Sequence, residues 1–183
     1  MRKILGWILL PFFAISFLSS LLVFEVIQRI AYFGFGYQAH KRSIDTLQLC
    51  LINSLRVVGT RFRTKRLKQK LPTDRPLIII SNHQSMFDIP SLIWIFRRNH
   101  PKFVSKKELG KGIPSISFNL NYGGSVLIDR KDREQATIKI GELGEYIEKH
   151  NRTACIFPEG TRSRDGILKP FKTTGIKTLL QHA

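Results

Sequence analysis

At 183 residues, 43% of them hydrophobic, the chain has room for one domain with a substantial core and not for two. Its 30 Lys and Arg against 13 Asp and Glu leave a formal net charge of +17, which points to an anionic partner: nucleic acid, an anionic lipid surface or a phosphorylated small molecule. No Cys/His cluster has zinc spacing, and neither a Gly-x-Ser-x-Gly elbow nor a Gly-x-x-x-x-Gly-Lys phosphate loop occurs, which argues against zinc chemistry, elbow-serine hydrolysis and phosphate-loop nucleotide binding.

Arg2 and Lys3 lead into an apolar stretch from Ile4 to Phe24, interrupted only by Gly6, Pro11 and a few serines. About twenty apolar residues suffice to cross a bilayer. A cleaved signal peptide fits poorly, because the stretch is long and lacks a small-x-small cleavage site. An uncleaved membrane anchor is expected, with residues 1–40 as an anchoring helical segment and 41–183 as the α/β domain. The anchor either spans the bilayer or, given Pro11 and the aromatics Trp7, Phe12, Phe13 and Phe17, bends and stays in one leaflet. Arg2 and Lys3 on one side face Arg29, Lys41 and Arg42 on the other, so the positive-inside rule does not orient it.

From Val26 to Tyr37 the pattern stays apolar, with Gln28 and Arg29 interleaved and Gly34 and Gly36 ending it. Two readings stand: an interfacial segment with Tyr32, Phe33, Phe35 and Tyr37 at headgroup depth, or a helix packed on the domain. Next, Leu47, Leu51, Leu55 and Val58 recur at helical spacing from a start near Ser43-Ile44-Asp45, with Gly59 as the stop. That stripe is expected in the core. The densest basic run, Arg61 to Lys70, follows these segments. Each cation near an anionic leaflet contributes on the order of 1 kcal/mol, so the run suits a domain held flat on lipid. A nucleic-acid reading needs aromatic platforms or a recognition helix, which Phe62 alone does not supply, and no nucleic-acid partner is expected.

Leu77-Ile78-Ile79-Ile80 reads as a buried strand after Pro72 and Pro76, and Leu92, Ile93, Ile95 and Phe96 fill a helix ending near Asn99-His100-Pro101. Phe103-Val104 reads as a second strand, and Ser125 to Ile128 as a third after Gly123-Gly124. Asp132 and Gln135 resemble a capping box opening a helix whose Ala136, Ile140, Leu143 and Ile147 share a face. Ala154 to Phe157 is the fourth strand. Strands alternating with helices predict an α/β fold: a mixed, largely parallel sheet flanked by helices, preceded by the hydrophobic anchor. Cys50 and Cys155 lie far apart in apolar runs and read as buried small hydrophobes in a reducing compartment.

The polar run Asn82-His83-Gln84-Ser85-Met86-Phe87-Asp88 follows the first strand, placing His83 and Asp88 where open α/β sheets gather ligands. A carboxylate holding one ring nitrogen fixes the tautomer and leaves the other nitrogen to take a proton. Five residues is not a helix-face spacing, so the pair requires a turn. The bland reading is ordinary turn and N-cap residues. A second strand-end motif, Phe157-Pro158-Glu159-Gly160-Thr161-Arg162-Ser163-Arg164, argues against that. A metal site on His83 and Asp88 lacks a third ligand at recognisable spacing, so no metal is expected.

Four strand-end features stand in order: His83 with Asp88, Lys106, Gly124 through Arg130, and Glu159-Gly160 with Arg162. The set resembles the glycerolipid acyltransferase family typified by the 1-acylglycerol-3-phosphate (lysophosphatidic acid) acyltransferases. Asn82, His83 and Asp88 match its N-H-x-x-x-x-D element, Gly124, Ile128, Asp129 and Arg130 its G-x-x-x-I-D-R element, and Phe157 through Ser163 its F-P-E-G-T-R-S element, with Lys169-Pro170-Phe171-Lys172 as a basic continuation.

The resemblance implies that His83 acts as general base on a glycerol hydroxyl, oriented by Asp88, and that the oxygen attacks an acyl-CoA or acyl-carrier-protein thioester with no protein-bound acyl intermediate and no further cofactor. It implies substrate binding by Asn82, Lys106, Gly124, Arg130, Glu159, Gly160, Thr161 and Arg162. Arg130 and Arg162 grip the acceptor phosphate, Glu159 and Gly160 shape that pocket, and Lys106 or backbone N–H groups at the following helix face the oxyanion. For Arg130 the alternative is an ion pair with Asp129 or Asp132, and for Glu159 an N-cap role. The implied partners are a phospholipid membrane, a lyso-lipid acceptor and the acyl donor, and the implied place is the cytoplasmic face of the cell membrane. Other readings are a different lyso-lipid acceptor, such as a lyso-ornithine lipid, or a catalytically impaired basic membrane-surface protein. The family pattern continues into a further helix and a strand with a Pro-containing motif, whereas this sequence stops at Gln181-His182-Ala183, so the domain is expected to be incomplete at its C-terminus or to close differently.

Overall fold

The computed structural model describes residues 2–64, 71–163 and 165–183. Its longest element is α1, Arg2–Val57, which carries Pro11 within it and leaves helical geometry at Gly36, with φ 75° and ψ −168°. That conformation is open to glycine and strained for other residues. Leu21, Leu47 and Leu51 share one buried cluster with Phe17 and Phe24. On a straight helix Leu21 and Leu47 would lie about 39 Å apart at 1.5 Å per residue, so α1 doubles back at Gly36 into two limbs. The expected fresh start near Ser43 is therefore corrected. The helix runs through Ser43 and also through residue 40, and the one backbone break sits at Gly36. The predicted stop holds: Gly59 N–H bonds Arg56 C=O at 3.0 Å and Thr60 N–H bonds Leu55 C=O at 3.1 Å, a Schellman ending with Gly59 at φ 81°.

The limbs differ in what they face. The first is apolar and open, with Trp7 74%, Ile15 64% and Phe35 76% exposed. By length and composition, α1 is sufficient to cross a membrane. The second limb buries Ile44, Leu47 and Leu51. The aromatic quartet does not divide by limb. Tyr32 packs against Phe118 and Tyr122, and Tyr37 stacks on His100, whereas Phe33 and Phe35 stay largely exposed. Of the basic run, Arg61–Thr64 is exposed coil, and residues 65–70 lie outside the described residues.

The sheet comprises β1 (Leu77–Ile80), β2 (Pro101–Lys106), β3 (Val126–Ile128) and β4 (Thr153–Ile156) in the spatial order β1-β4-β2-β3, with every pairing parallel. β2 is longer than predicted because it serves two partners: residues 101–103 pair with β4 and residues 104–106 with β3. The connecting helices are α2 (Asp88–Ile95), α3 (Ile116–Tyr122) and α4 (Arg133–His150), and α5 (Thr174–His182) follows β4. Asp132 caps α4 by accepting from Gln135 N–H at 2.9 Å, as expected, but the Gln135 carboxamide reaches past the cap to Asp129 N–H at 2.9 Å.

Successive residues of β4 face opposite sides of the sheet. Ala154 and Ile156 pack with Ile140, Leu143 and Ile147 of α4 and Leu179 of α5. Cys155 packs with Phe103, with Ile93 of α2 and with Ile44 of the second limb of α1. Burial pushes the Cys155 thiol up to about 12, an inert core residue. Cys50 is only half-buried, contrary to expectation.

Candidate active site

Parallel pairing brings all four carboxyl strand ends to one edge of the sheet, where ligands of open α/β folds sit. In spatial order that edge presents the loop after β1 with His83, the loop after β4 with Glu159 to Arg162, then Lys106 closing β2 and Arg130 beyond β3. Lys106 is paired in register with Ile128, which places it beside the strand leading to Arg130. A cleft of about 1380 Å³ opens here and continues between α1, α2 and α3.

His83 Nδ1 lies 2.9 Å from Asp88 Oδ2. The same carboxylate oxygen accepts the N–H groups of Gln84 at 2.8 Å and Ser85 at 2.9 Å, which builds the tight turn the five-residue spacing requires. A carboxylate against Nδ1 fixes the proton there and leaves Nε2 unprotonated in the neutral ring. The ring face stacks on Phe157, with centroids 4.1 Å apart and planes 18° off parallel. His83 is thus held at one nitrogen and on one face, and it lines the cleft.

The loop after β4 grips the same residue by its backbone. Glu159 Oε1 accepts His83 N–H at 2.8 Å, and Ser163 N–H donates to His83 C=O at 2.8 Å. Glu159 Oε2 accepts Lys169 N–H at 3.2 Å. Glu159 is 3% exposed, so its carboxylate is committed to two backbone donors. Glu159 does not line the cleft itself and acts on it as a clamp on the backbone of His83. It caps no helix either, since its partners are loop amides.

Of the remaining sequence candidates, Lys106, Arg130, Gly160, Thr161 and Arg162 line the cleft with His83. Arg130 pairs with neither predicted acid: Asp129 faces Lys107 at 3.7 Å and Lys131 N–H at 2.9 Å, and Asp132 caps α4. Asn82 and Gly124 do not line the cleft. Asn82 points to solvent beside the loop, its C=O accepting from Ser81 Oγ at 3.0 Å. Gly124, at φ 86°, sits under the ring of Tyr146, where an added Cβ would come within 2.7 Å of Cζ, so packing alone requires a glycine there. Four backbone donors near α2 are spent: Gln84 and Ser85 N–H on Asp88, Phe87 N–H on Ser85 Oγ, and Asp88 N–H on Ser85 C=O. Lys106 and the N–H groups of Met86 and Ile89, residues that also line the cleft, stand together as oxyanion candidates.

Sequence reasoning missed the stacking role of Phe157, the Ser163 amide and Lys172, whose Nζ approaches Gly160. It also missed a polar cluster at the other end of β2. There Lys102 Nζ donates to Tyr37 Oη at 3.1 Å, and Tyr37 Oη meets His100 Nδ1 at 2.8 Å. Burial pushes Lys102 down to about 7 and His100 down to about 4. No periodicity marks these residues, because the cluster forms only when α1 folds onto β2.

The acyltransferase family model matches residues 62–183. Human 1-acyl-sn-glycerol-3-phosphate acyltransferase beta is 32% identical over 114 residues, 62% of this chain and 40% of that protein. A 1-acyl-sn-glycerol-3-phosphate acyltransferase of Chlamydomonas reinhardtii is 31% identical over 166 residues, 88% of this chain and 48% of that one. The chain thus spans less than half the length of these curated relatives. The crystal structure of the 1-acyl-sn-glycerophosphate (LPA) acyltransferase PlsC from Thermotoga maritima has the same fold, with a TM-score of 0.77 and 24% identity over all of this chain and 72% of that one. The family model covers more than half of the sequence: the chain belongs to the acyltransferase family.

Proposed function

We propose that this chain transfers an acyl group from an acyl-CoA or acyl-carrier-protein thioester to the 2-hydroxyl of lysophosphatidic acid, forming phosphatidic acid at a membrane surface. The observation that carries this reading is the His83 ring, fixed through Nδ1 by Asp88 at 2.9 Å and lining a cleft that Arg130 and Arg162 also line. The names of the relatives support the same acceptor.

The step balances within these groups. Nε2 of His83 takes the proton of the acceptor hydroxyl as its oxygen bonds to the thioester carbonyl carbon. Lys106 or the N–H groups of Met86 and Ile89 stabilise the oxyanion that forms. The C–S bond then breaks, and the imidazolium returns its proton to the departing sulfur, leaving ester and free thiol. A guanidinium suits the acceptor phosphate because it donates two parallel, charge-assisted hydrogen bonds. The apolar arm of the cleft, where Leu21, Leu47, Phe87 and Ile93 meet, suits an acyl chain. The first limb of α1, with its open apolar face, acts as the membrane anchor, and the α/β domain lies on the cytoplasmic side.

The test is thiol release from acyl-CoA against a panel of lyso-lipid acceptors that includes lysophosphatidic acid and a lyso-ornithine lipid. Release is expected with lysophosphatidic acid and lost in His83→Ala. A His83→Ala variant with undiminished release removes the base assignment, and preference for an acceptor without phosphate removes the roles given to Arg130 and Arg162.

A further inference from the structure

The segment from Asp165 to Phe171, between β4 and α5, exposes apolar side chains that no packing accounts for: Ile167 68%, Leu168 60% and Phe171 49% exposed. It is not loose chain. Ser163 Oγ and Ile167 N–H both bond Asp165 Oδ1, at 2.7 and 3.1 Å. Lys169 N–H bonds the buried Glu159, Lys172 N–H bonds Pro158 C=O at 2.9 Å, and Gln84 Nε2 reaches Gly166 C=O at 3.3 Å. Gly166, at φ 79°, turns the tip outward. A loop tied at both ends and across its middle holds Ile167 and Leu168 in the solvent, where an untied loop would fold them inward.

The surface around the tip identifies what covers it. Through Gln84 the tip joins the loop after β1, where Met86 is 52% exposed and Phe87 meets Phe13 and Phe17 of α1 edge-on, at 6.3 and 5.9 Å. Exposed apolar side chains thus stand on both sides of the Gln84–Gly166 contact, on α1 and the loop after β1 and at the tip. Lys169, Lys172 and Arg162 flank the tip, on a chain of net charge +17. An apolar ridge edged with cations matches a bilayer with anionic headgroups better than a protein partner.

We propose that residues 166–171 form a second membrane contact, a rigid wedge that enters the headgroup layer beside the cleft and sets the mouth at lipid depth. The inference rests on the anchoring role given to α1 and adds a separate point of insertion. The tip of the wedge is expected to matter only for acceptors held in a membrane, because Ile167 and Leu168 do not line the cleft.

The test uses the full chain transferred from detergent to phosphatidylcholine vesicles containing phosphatidic acid. Leu168→Cys in a Cys50→Ser background carries an environment-sensitive fluorophore, Cys155 being 1% exposed and unreactive. The expected result is a blue shift on vesicles and quenching by lipids labelled in the acyl chain. A label that stays in water while the protein co-sediments with vesicles overturns the wedge and leaves the anchor standing. Absence of co-sedimentation overturns both. A concentration-dependent shift without vesicles makes the cover a second copy of the chain and overturns the lipid contact. In parallel, Ile167→Asp with Leu168→Asp should lower turnover of a vesicle-embedded acceptor on the order of tenfold, about the factor that burying one large apolar side chain supplies, and leave turnover of a dispersed short-chain acceptor unchanged. Equal loss on both acceptors overturns the proposal.

Discussion

The loops after β1 and β4 look alike in sequence, each a strand end carrying an acid, yet the two acids do opposite work on one residue. Asp88 holds the imidazole of His83, and Glu159 holds its backbone. Asp88 remains partly open, its side chain 27% exposed, and acts on a group that faces the cleft, whereas Glu159 is buried and spent on amides. A charge in a motif thus says little about its task until its partner atoms and burial are known. The partner of a chemical acid is a titratable side chain at a cavity, and that of an architectural acid is the peptide backbone.

The largest effects separate chemistry from clamp. His83→Ala should lower thiol release by about 10²–10⁴-fold, the usual contribution of a positioned base, with little change in melting temperature. Glu159→Ala should match that loss but should also destabilise the fold by about 1–3 kcal/mol for each buried amide left unpaired, seen as an early thermal transition. If Glu159→Ala melts like the parent and only the KM for the acceptor rises, Glu159 belongs in the pocket after all.

Gly124 is the next sharpest contrast, since its motif position suggests binding and its surroundings suggest packing. Gly124→Ala puts a methyl within 2.7 Å of the Tyr146 ring at a φ of 86°. Overpacking costs about 1–3 kcal/mol, and left-handed geometry for a non-glycine residue adds roughly 1–2 kcal/mol. The melting temperature should therefore fall, with the KM for the acceptor unchanged. A raised KM at an unchanged melting temperature would mean that Gly124 is required for its approach to a ligand.

Much of this was legible in the sequence, and the exceptions share a cause. The α/β alternation, the four strand-end features and the Gly59 and Asp132 caps are local signals, carried by residues a few positions apart. The spatial order of strands, the double-back of α1 and the Glu159 clamp depend on pairs far apart in sequence. Gly34 and Gly36 read alike as helix stops, but only Gly36 takes a non-helical φ, and nothing within a few residues distinguishes them. Likewise the Tyr37, His100 and Lys102 cluster joins residues 63 and 65 positions apart.

Smaller effects test how Asp88 works. One oxygen, Oδ2, serves His83 and both turn amides. In Asp88→Asn the amide oxygen takes that place, and the Nδ1–H tautomer survives while the negative charge is lost. Charge-assisted bonds exceed neutral ones by about 1–2 kcal/mol, so the rate should drop about tenfold, far less than in Asp88→Ala, where the ring is also released. Equal losses in the two variants would show that charge, not orientation, is what Asp88 supplies.

The last contrast lies at the opposite end of β2 from the site, where the comparison reverses: there burial acts on a cation. Lys102 is 6% exposed and pushed down to about 7 by burial, with Arg152 and Lys41 opposing its charge and Asp45 favouring it. Between pH 7 and the ordinary lysine range, the unfolded chain keeps a proton that the folded chain has shed, so stability rises with pH across that window. Below pH 7 both states are protonated and the full cost of the buried ammonium is present. Lys102→Met should therefore raise the melting temperature most at pH 7 and least near pH 10, and Tyr37 should keep its bond to His100. A gain independent of pH would mean that packing rather than charge limits stability at this end of the sheet.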